Sequence, residues 1–404
     1  MQISIIGQGY VGLSLAMSAI NVGHKVIGFD LNSQLVEQLK VGETEVPGIL
    51  SKSIIEGISS GLYIPTIDPN DINGSEIIVI AVPTPLDSER QPDLSFVKSA
   101  AKIISQVVVG KTLVINESTS YPGTLREIIK VICDKSVDAV FNYASAPERI
   151  DPGNTYWTIE NTPRVVAGIT KEASDLAIDF YKSFCSSVYH AESVEIAEAS
   201  KLFENTFRQI NIALVNEFST ICHKLGFSAH STIKAAATKP FGFMPFYPSI
   251  GVGGHCIPVD PTFLSFKAKE VGVSADFIDL ANSTNFQMPK KVALNIQNHF
   301  NGSLEGKKIQ VAGIAYKKGV SDMRESPAIK LIIELESLGA KVSWHDPVVQ
   351  GFNGKYSVPL DPDSDIGLII TPHQQIDFSI WHNAGTKVLD LSADSKNHGW
   401  AKFF

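Results

Sequence analysis

A glycine-rich turn near the N-terminus limits the folds open to this chain more than any other feature of the sequence. Residues 7–12 read GQGYVG, with an apolar run of strand length (3–6) before them and a helical pattern after them. The next apolar run, 25–30, ends in Asp30. Glycines bring a helix N-terminus close to a pyrophosphate, and the acid accepts hydrogen bonds from a ribose. The unit therefore predicts a dinucleotide site rather than a structural glycine turn.

The predicted cofactor is NAD, because a carboxylate at Asp30 would repel the 2'-phosphate of NADP. The segments 83–85 (PTP) and 117–124 (ESTSYPGT) follow two later strands, and ligands of such sheets bind beyond the carboxyl ends of strands. Ordinary loop punctuation by proline and glycine is the alternative for both segments. The predicted cofactor-binding residues here are Gly7, Gly9, Tyr10, Val11, Gly12, Asp30, Pro83, Thr84 and Thr119.

Apolar runs and helical patterns alternate through the N-terminal third, mostly without the period-2 alternation of a one-sided sheet. A helical pattern then runs from about 193 to 225, and the alternation returns after Gly302. The expected fold class is α/β, with two Rossmann-like doubly wound domains joined by a long central helix and a helical region. The predicted domains are 1–190 (NAD-binding), 191–300 (helical, with a cysteine loop) and 301–404. Predicted strands are 3–6, 25–30, 77–82, 112–116, 139–143, 164–167, 187–190, 308–314, 341–345, 366–371 and 387–390. Predicted helices are 13–22, 33–40, 94–108, 125–132, 193–225, 231–237, 263–271, 289–300 and 327–338.

Composition excludes several functional classes. The 34 Lys plus Arg against 42 Asp plus Glu give a net charge of −8, which argues against nucleic-acid binding through phosphate neutralisation. Four cysteines without a CxxC pair provide neither a disulfide framework nor a metal site, so no metal and a reducing cytoplasm are expected. Polar residues interrupt segment 1–24, and no stretch approaches the roughly 20 apolar residues of a membrane span, so neither a signal peptide nor a membrane association is expected.

Residues 251–261, GVGGHCIPVDP, place Cys256 after a run of glycines. Glycines let a backbone approach a ligand closely, and a nucleophilic thiol needs partial exposure. A buried core cysteine is the alternative, and Cys133, Cys185 and Cys222 are assigned to that class. His255 is interpreted as structural rather than as a ligand or a base.

Lys201, Asn205 and Arg208 share one face of the long predicted helix, and Glu198 precedes them by one turn. Spacing alone favours a solvated polar face over a functional one. Residues 146–153, APERIDPG, place Glu148 directly after a predicted strand, where a loop salt bridge is the alternative to a catalytic acid.

Seven motifs together resemble the UDP-glucose/GDP-mannose dehydrogenase family, in order and over nearly the whole chain. They are GQGYVG, PTP, ESTSYPGT, PERIDPG, KLFENTFRQINIALVNE, GGHCIPVDP and GIAYKKGVSDMRESPA. Residues 235–248 and 253–261 look most like the UDP-N-acetylglucosamine 6-dehydrogenases of that family. Family members of the UDP-glucose type often carry a second glutamate where this chain has Pro152.

The resemblance implies a metal-free, four-electron oxidation of a sugar C6 alcohol to a carboxylate with two NAD+. Cys256 would form a thiohemiacetal and then a thioester. Lys201 and Asn205 would donate to developing oxyanions. Glu148 would be the base for water attack, with Asp260 and Thr119 orienting a water or the lysine.

The resemblance also implies further binding residues and a homodimer. The substrate-binding residues are Glu148, Arg149, Lys201, Asn205, Arg208, Phe246, Tyr247, Gly253 and Lys317; Arg324 is assigned to the cofactor. For Lys317 a plain surface charge is the alternative. The stripe Ile210, Leu214, Phe218, Ile221 and Leu225 would pack against a second copy, although an intrachain core would show the same spacing.

The sequence therefore predicts a cytoplasmic NAD-dependent 6-dehydrogenase of a UDP-N-acetylhexosamine, first of all UDP-N-acetylglucosamine, that supplies a uronate for a surface polysaccharide. Its rivals are UDP-N-acetylmannosamine, UDP-N-acetylgalactosamine and UDP-glucose as substrates. A two-electron dehydrogenase of hydroxyacids or of the 6-phosphogluconate type has no use for Cys256. A catalytically inactive NAD-binding regulator is disfavoured because the cysteine, lysine, asparagine and glutamate are all present.

Overall fold

A computed structural model describes residues 1–151, 154, 156–393, 400 and 402–404, so Pro152 and Gly153 of the PERIDPG motif lie outside the described residues. The chain forms two compact units, one of residues 1–204 with 266–272 and one of residues 205–265 with 273–404. The division falls inside one helix, between Glu204 and Asn205. The three predicted domains, 1–190, 191–300 and 301–404, remain a prediction.

The first unit is built on an eight-stranded sheet in the order β3-β2-β1-β4-β5-β6-β7-β8. All neighbouring strands are parallel except β6 and β7. Both faces of the inner strands are covered, and this explains why β4 is an unbroken run of buried isoleucine and valine. The strands are β1 (Gln2–Ile6), β2 (Lys25–Phe29), β3 (Tyr63–Thr66), β4 (Ile77–Ile80), β5 (Gly110–Asn116), β6 (Ala139–Ser145), β7 (Arg164–Gly168) and β8 (Val188–His190).

Helices connect these strands, which confirms the predicted doubly wound arrangement. They are α1 (Tyr10–Asn21), α2 (Ser33–Lys40), α3 (Ser51–Ser59), α4 (Ser95–Val107), α5 (Lys130–Cys133) and α6 (Lys171–Lys182), with a 3-10 turn at Pro69–Ile72 and a π-helical turn at Leu125–Ile129. The long helix α7 (Val194–Leu225) follows and was predicted within one residue.

The second unit contains a parallel four-stranded sheet in the order β10-β9-β13-β14, together with a short hairpin. Its strands are β9 (Lys308–Ala312), β10 (Lys341–His345), β11 (Gly351–Phe352), β12 (Lys355–Tyr356), β13 (Ile366–Ile369) and β14 (Val388–Asp390). The helices that follow α7 are α8 (Ala229–Ala236), α9 (Asp260–Glu270), α10 (Asp276–His299), α11 (Pro327–Ser337) and α12 (Ser379–Ala384). Residues 266–270 of α9 belong to the first unit.

One predicted helix boundary is wrong. The helix expected to begin at Pro289 begins at Asp276, and Pro289 lies in its interior. A proline removes the bond to the carbonyl four residues earlier, here that of Asn285. This carbonyl faces Gly251, where a Cβ would lie only 2.7 Å from the oxygen. The missing side chain at Gly251 leaves room for the carbonyl that the proline leaves without its helical bond.

Each unit has its own apolar core. In the first, α1, α6 and the central strands bury a cluster that includes Ile5, Leu13 and Phe180. In the second, α10 and α11 cover the four-stranded sheet around Leu331 and Trp344. No helix in the described part of the chain is both long enough and apolar enough to span a bilayer.

Candidate active site

The glycine turn of the first unit is packed against main-chain atoms. Gly7 has φ of +95°, and a Cβ there would lie 2.5 Å from the carbonyl oxygen of Ala81. A Cβ on Gly12 would lie 1.8 Å from the carbonyl oxygen of Gly7. At Gly9, the N-cap residue of α1, the space is open, and Gly9 has no side chain that could cap the helix. A helix N-terminus that a ligand can approach closely fits a pyrophosphate.

Asp30 lies directly after β2 and is half-buried. Its Oδ2 accepts from the N–H of Gln8 at 2.7 Å, and its Oδ1 accepts from the N–H of Asn32 at 2.9 Å. A carboxylate oxygen can accept more than one hydrogen bond, so the side chain is fixed in place and can still bind ribose hydroxyls.

The segments after β4 and β5 are joined at the same edge of the sheet. The N–H of Val82 donates to Oγ of Ser118 at 2.9 Å, and this hydroxyl donates back to the carbonyl of Val82 at 2.8 Å. Thr84 and Thr119 are half-buried next to these two residues, and Pro83 is exposed. The half-buried predicted cofactor residues Tyr10 and Val11 open α1. All the predicted cofactor residues except Arg324 therefore lie in the first unit.

Glu148 and Lys201 form a buried ion pair in the first unit. Nζ of Lys201 lies 3.7 Å from Oε2 of Glu148, and each side chain is only 9% exposed. Oε1 of Glu148 is buried and has no hydrogen-bond partner among the described residues. The interpretation of Lys201 as part of a solvated polar face is therefore wrong. Oε1 of Glu148 remains available to a small ligand.

Arg149, a predicted substrate residue, is held by internal partners. Its guanidinium pairs with Glu204 and donates to the carbonyl of Pro163 at 2.9 Å. Arg149 thus forms an ion pair with Glu204, whereas its neighbour Glu148, for which a salt bridge was the alternative to a catalytic role, pairs with Lys201.

Glu198 fastens the start of α7 to the ESTSYPGT segment. Its carboxylate accepts from the N–H of Gly123 at 2.7 Å and of Leu125 at 2.9 Å. Burial raises the pKa of Glu198 to about 8, although these two hydrogen bonds oppose the shift. Glu198 thus caps the turn that follows Thr119 and fixes the helix that carries Lys201.

Cys256 lies in the second unit, directly before α9. The described residues include all four cysteines, and Cys256 is half-buried whereas Cys133, Cys185 and Cys222 are buried, as predicted. The carbonyl of Cys256 accepts from the N–H of Asp260 at 2.8 Å, which begins the helical turn. Cys256 therefore lies one turn before the start of α9 and is only partly buried.

Two further groups of the cysteine segment are fixed by partners in the second unit. Nδ2 of Asn205 donates to Oδ2 of Asp260 at 2.5 Å, and Asp260 is buried. The N–H of Gly254 donates to the carbonyl of Arg324 at 3.1 Å. A Cβ on Gly253 would lie 2.8 Å from the Pro327 ring, so this turn packs closely against the segment that carries Arg324.

Arg324 is paired within its own loop. Its Nε donates to both carboxylate oxygens of Asp322 at 3.0 and 2.9 Å, and its Nη2 lies 3.2 Å from Nδ1 of His255. The hydrogen bonds to Asp322 and the charge of that carboxylate raise the pKa of Arg324, although burial opposes the shift. The half-buried Lys317 lies in the same loop. His255 is thus engaged with Asp322 and Arg324, in line with its structural interpretation.

The remaining predicted substrate residues also belong to the second unit. Phe246 packs edge-on against Phe207, with ring centroids 5.8 Å apart, and Tyr247 stacks on His230 at 5.3 Å. Arg208 is exposed.

Asp346 and His373 were missed in the sequence. Asp346 lies directly after β10, as Asp30 lies directly after β2, but it is only 1% exposed. Its Oδ2 accepts from the N–H groups of Ile314 and Ala315 and lies 3.3 Å from Nε2 of His373. Burial would raise the pKa of Asp346, but His373 and the backbone donors lower it to about 2. Hydrogen-bond donors of the protein itself thus occupy the carboxylate of Asp346. Asp30, at the same place in the first unit, is the residue expected to bind a ribose. One sequence pattern marks Asp346: the order strand, Gly, helix, Gly, strand, Asp occurs at both ends of the chain and places Asp346 in the position of Asp30.

Long stretches of the chain match known proteins. Residues 1–185 match the NAD binding domain of the UDP-glucose/GDP-mannose dehydrogenase family, residues 195–287 its central domain and residues 310–390 its UDP binding domain. The UDP-N-acetyl-D-mannosamine dehydrogenase of Pyrococcus horikoshii is 33% identical over 397 residues, which cover 95% of this chain and 92% of that protein. The UDP-N-acetyl-D-glucosamine 6-dehydrogenase of Pseudomonas aeruginosa is 31% identical over 376 residues, or 90% and 86% of the two chains.

Solved structures agree with these matches. A structure of the UDP-D-ManNAc dehydrogenase of Pyrococcus horikoshii has a TM-score of 0.88 to this chain at 29% identity, and covers 98% of this chain and 96% of that one. The glycine turn with Asp30, the parallel sheets and the matches to all three parts of one family agree. The chain belongs to the UDP-glucose/GDP-mannose dehydrogenase family and is an NAD-dependent UDP-sugar dehydrogenase.

Proposed function

We propose that this protein oxidises the C6 alcohol of a UDP-N-acetylhexosamine, first of all UDP-N-acetylglucosamine, to the carboxylate through a covalent intermediate on Cys256. The observation that carries the proposal is the half-buried thiol of Cys256 after a glycine turn, in a chain whose other three cysteines are buried. A two-electron alcohol dehydrogenase needs no such thiol. The uronate would be used in building a surface polysaccharide.

The proposed reaction assigns a step to each group. NAD+, when bound, supplies the hydride acceptor for both oxidations. The thiolate of Cys256 adds to the C6 aldehyde, and the resulting thiohemiacetal is oxidised to a thioester. Lys201 and Asn205 donate to the oxygen on C6 while it carries negative charge. Glu148 takes a proton from the water that attacks the thioester, and the C–S bond then breaks to release the acid and the thiolate. Four electrons leave each sugar, and one water is consumed.

The remaining predicted site residues are assigned to positioning a catalytic group or to binding a ligand. Asp260 orients Asn205, and Thr119 contributes to the cofactor pocket and to the ordering of water. The sugar nucleotide contacts six further residues, Arg149, Arg208, Phe246, Tyr247, Gly253 and Lys317. Arg324 contacts the cofactor. For Arg324 this requires it to exchange its bond to Asp322 for the ligand, because the two are paired in this structure.

The choice of sugar rests on residues 235–248 and 253–261, which look most like the enzymes of UDP-N-acetylglucosamine. Relatives named for the mannosamine and the glucosamine substrates are similarly distant, at 33% and 31% identity. UDP-N-acetylmannosamine is therefore the second candidate.

The purified protein should form two NADH for each UDP-N-acetylglucosamine consumed, because the aldehyde stays bound to Cys256 until it is oxidised. The measurement is NADH absorbance with UDP-N-acetylglucosamine, UDP-N-acetylmannosamine, UDP-N-acetylgalactosamine and UDP-glucose, with product identified by mass spectrometry. A higher kcat/KM for another sugar would change the assigned substrate but not the proposed mechanism. One NADH per sugar with a released aldehyde would exclude the covalent route.

Replacing Asp30 with alanine should raise the KM for NAD+ by about 10- to 150-fold, since a hydrogen bond to a charged group is worth roughly 1.5–3 kcal/mol. Discrimination against NADP+ should also weaken, because the charge that repels a 2'-phosphate is lost. Asp30 also accepts from Gln8 and Asn32, so thermal unfolding must be measured alongside. A folded variant with the wild-type KM for NAD+ would place the ribose elsewhere.

A homodimer is also proposed, with α7 as the contact. Leu214, Ile221 and Leu225 lie on one face of this helix and are 60%, 47% and 67% exposed, so an intrachain core is wrong for these three. Ile210 and Phe218 of the same stripe are half-buried. Exposed apolar side chains in a row at helical spacing favour a protein partner, and a second copy presents the same stripe.

Sedimentation should therefore give a dimer for the wild type and a monomer for Leu214→Glu/Ile221→Glu, because the substituted face would bury charge. His223→Glu, at an exposed position on the opposite face of the same helix, is the control. A monomeric wild type at micromolar concentration would contradict the dimer.

A further inference from the structure

A buried group of three side chains in the first unit is not used by the mechanism above. Glu117 follows β5, Arg164 opens β7 and Tyr181 lies on α6, and all three are buried. Oε1 of Glu117 accepts from Nη2 of Arg164 at 2.8 Å and from the hydroxyl of Tyr181 at 2.5 Å. The guanidinium carbon lies 4.9 Å from the centre of the tyrosine ring. The bonds join three separate elements at one carboxylate.

This cluster holds the main chain on both sides of one peptide bond. Nη1 of Arg164 lies 3.4 Å from the carbonyl of Pro147, and the carbonyl of Glu117 accepts from the N–H of Glu148 at 3.3 Å. The peptide that leads into Glu148 is thus fixed from the arginine side chain and from the Glu117 main chain. Glu117 sets the position of the arginine through their ion pair.

The charges around Glu148 are balanced as well as ordered. Lys201 faces it from α7, Arg164 lies on β7 and Glu117 lies at the end of β5. Tyr181 and Cys185 adjoin the arginine. Two carboxylates and two cations are therefore buried together. Burial raises the pKa of Glu117, and the opposite charge of Arg164 counters that shift. Removing one charge from such a group leaves another uncompensated in a low-dielectric site.

We propose that Glu117 and Arg164 are positioning residues that hold the carboxylate of Glu148 in line for water attack on the thioester. This inference rests on the proposed function, because it depends on Glu148 being the base for that step. The alternative is a structural ion pair that joins β5, β7 and α6 without any effect on one chemical step. The two roles differ in their kinetics, since a misplaced base slows hydrolysis but leaves the two oxidations intact.

The test is the variant Glu117→Gln, which keeps an acceptor for Arg164 and Tyr181 but loses the charge. We expect kcat to fall roughly 10- to 100-fold, the loss typical of displacing a reacting group by about 1 Å. Because the thioester accumulates before the slowed step, the KM for UDP-sugar should fall along with kcat, and kcat/KM should stay within about twofold. A pre-steady-state burst of up to two NADH per site should appear, and mass spectrometry of quenched protein should find the uronyl group on Cys256.

Asp134→Asn is a matched control. Asp134 also accepts from a tyrosine hydroxyl and from a cation, those of Tyr143 and Lys130, but it has no contact with the Glu148 segment among the bonds that the structure gives it. This variant should keep the wild-type kcat and show no burst.

A second variant tests the proposal if Glu117→Gln does not fold. Glu117→Gln/Arg164→Met removes both charges, and replacing a buried ion pair by uncharged groups is often neutral for stability. It still frees the Pro147 carbonyl, so the burst should remain. If neither variant folds, the pair is structural and the proposal is overturned.

Glu148→Gln is the reference that separates the two hypotheses. If Glu148→Gln shows no burst, the assigned role of Glu148 fails and the inference fails with it. If Glu148→Gln shows a burst but a folded Glu117→Gln turns over at the wild-type rate, or loses the first turnover instead, only the inference is overturned.

Discussion

Replacing Cys256 with alanine should lower uronate formation by about 10³-fold or more, because no other group in the proposed route can form the thioester. NAD+ should still bind, since the predicted cofactor residues of the first unit are untouched. Any residual NADH should come from the first oxidation, with one NADH and a released aldehyde per sugar. The measurement combines steady-state NADH formation, product analysis and NAD+ binding by fluorescence.

The control uses the other cysteines. Burial raises the pKa of Cys133 to about 12 and that of Cys185 to about 11, so these thiols should resist alkylation. Iodoacetamide should therefore modify Cys256 first, and UDP-sugar should slow the modification. Undiminished acid production by Cys256→Ala would make the thiol structural and would exclude the covalent route through Cys256.

The fold was largely predictable because its strands are buried on both faces. Residues 77–80 read as an unbroken apolar run, and such runs between helical patterns indicate a parallel sheet. Strand β3 was missed because Pro65 interrupts its pattern. The structure tolerates this proline because β3 lies at the edge of the sheet, where it pairs only with β2.

The site was less predictable, since its chemistry depends on contacts between distant residues. Spacing alone could not separate Lys201 from a solvated lysine; its burial against Glu148 does so. Only a weak sequence signal marks Arg164, which is a single cation at the head of the apolar strand RVVAG. Its partners Glu117 and Tyr181 come from other elements, and no local pattern connects the three.

Motif matching also could not tell which charged groups are occupied by the protein itself. Arg149 lies next to Glu148 in the sequence, yet it pairs with Glu204 and the carbonyl of Pro163. A role in binding substrate would require it to leave a partly exposed ion pair, and such pairs contribute at most about 1 kcal/mol. The substrate can therefore displace Glu204 at small cost.

Replacing Glu148 with glutamine should convert the steady-state enzyme into one that stalls as a thioester. Glutamine has nearly the same shape and can keep a contact with Lys201, but it cannot accept a proton from water. Loss of a general base typically lowers a rate by about 10²- to 10⁴-fold. The first turnover should therefore give a burst of up to two NADH per site followed by a slow phase.

The burst must be accompanied by its intermediate, because a slow product release would also give a burst. Mass spectrometry of quenched Glu148→Gln protein should find the UDP-uronyl group on Cys256, and hydroxylamine should release it. Glu195→Gln is the control on α7, since it removes only an exposed ion pair with Arg126 and should turn over normally. If Glu148→Gln gives neither burst nor adduct, Glu148 acts before the thioester forms. Its buried Oε1, which has no hydrogen-bond partner among the residues that the structure describes, would then serve the first oxidation, and another group must activate the water.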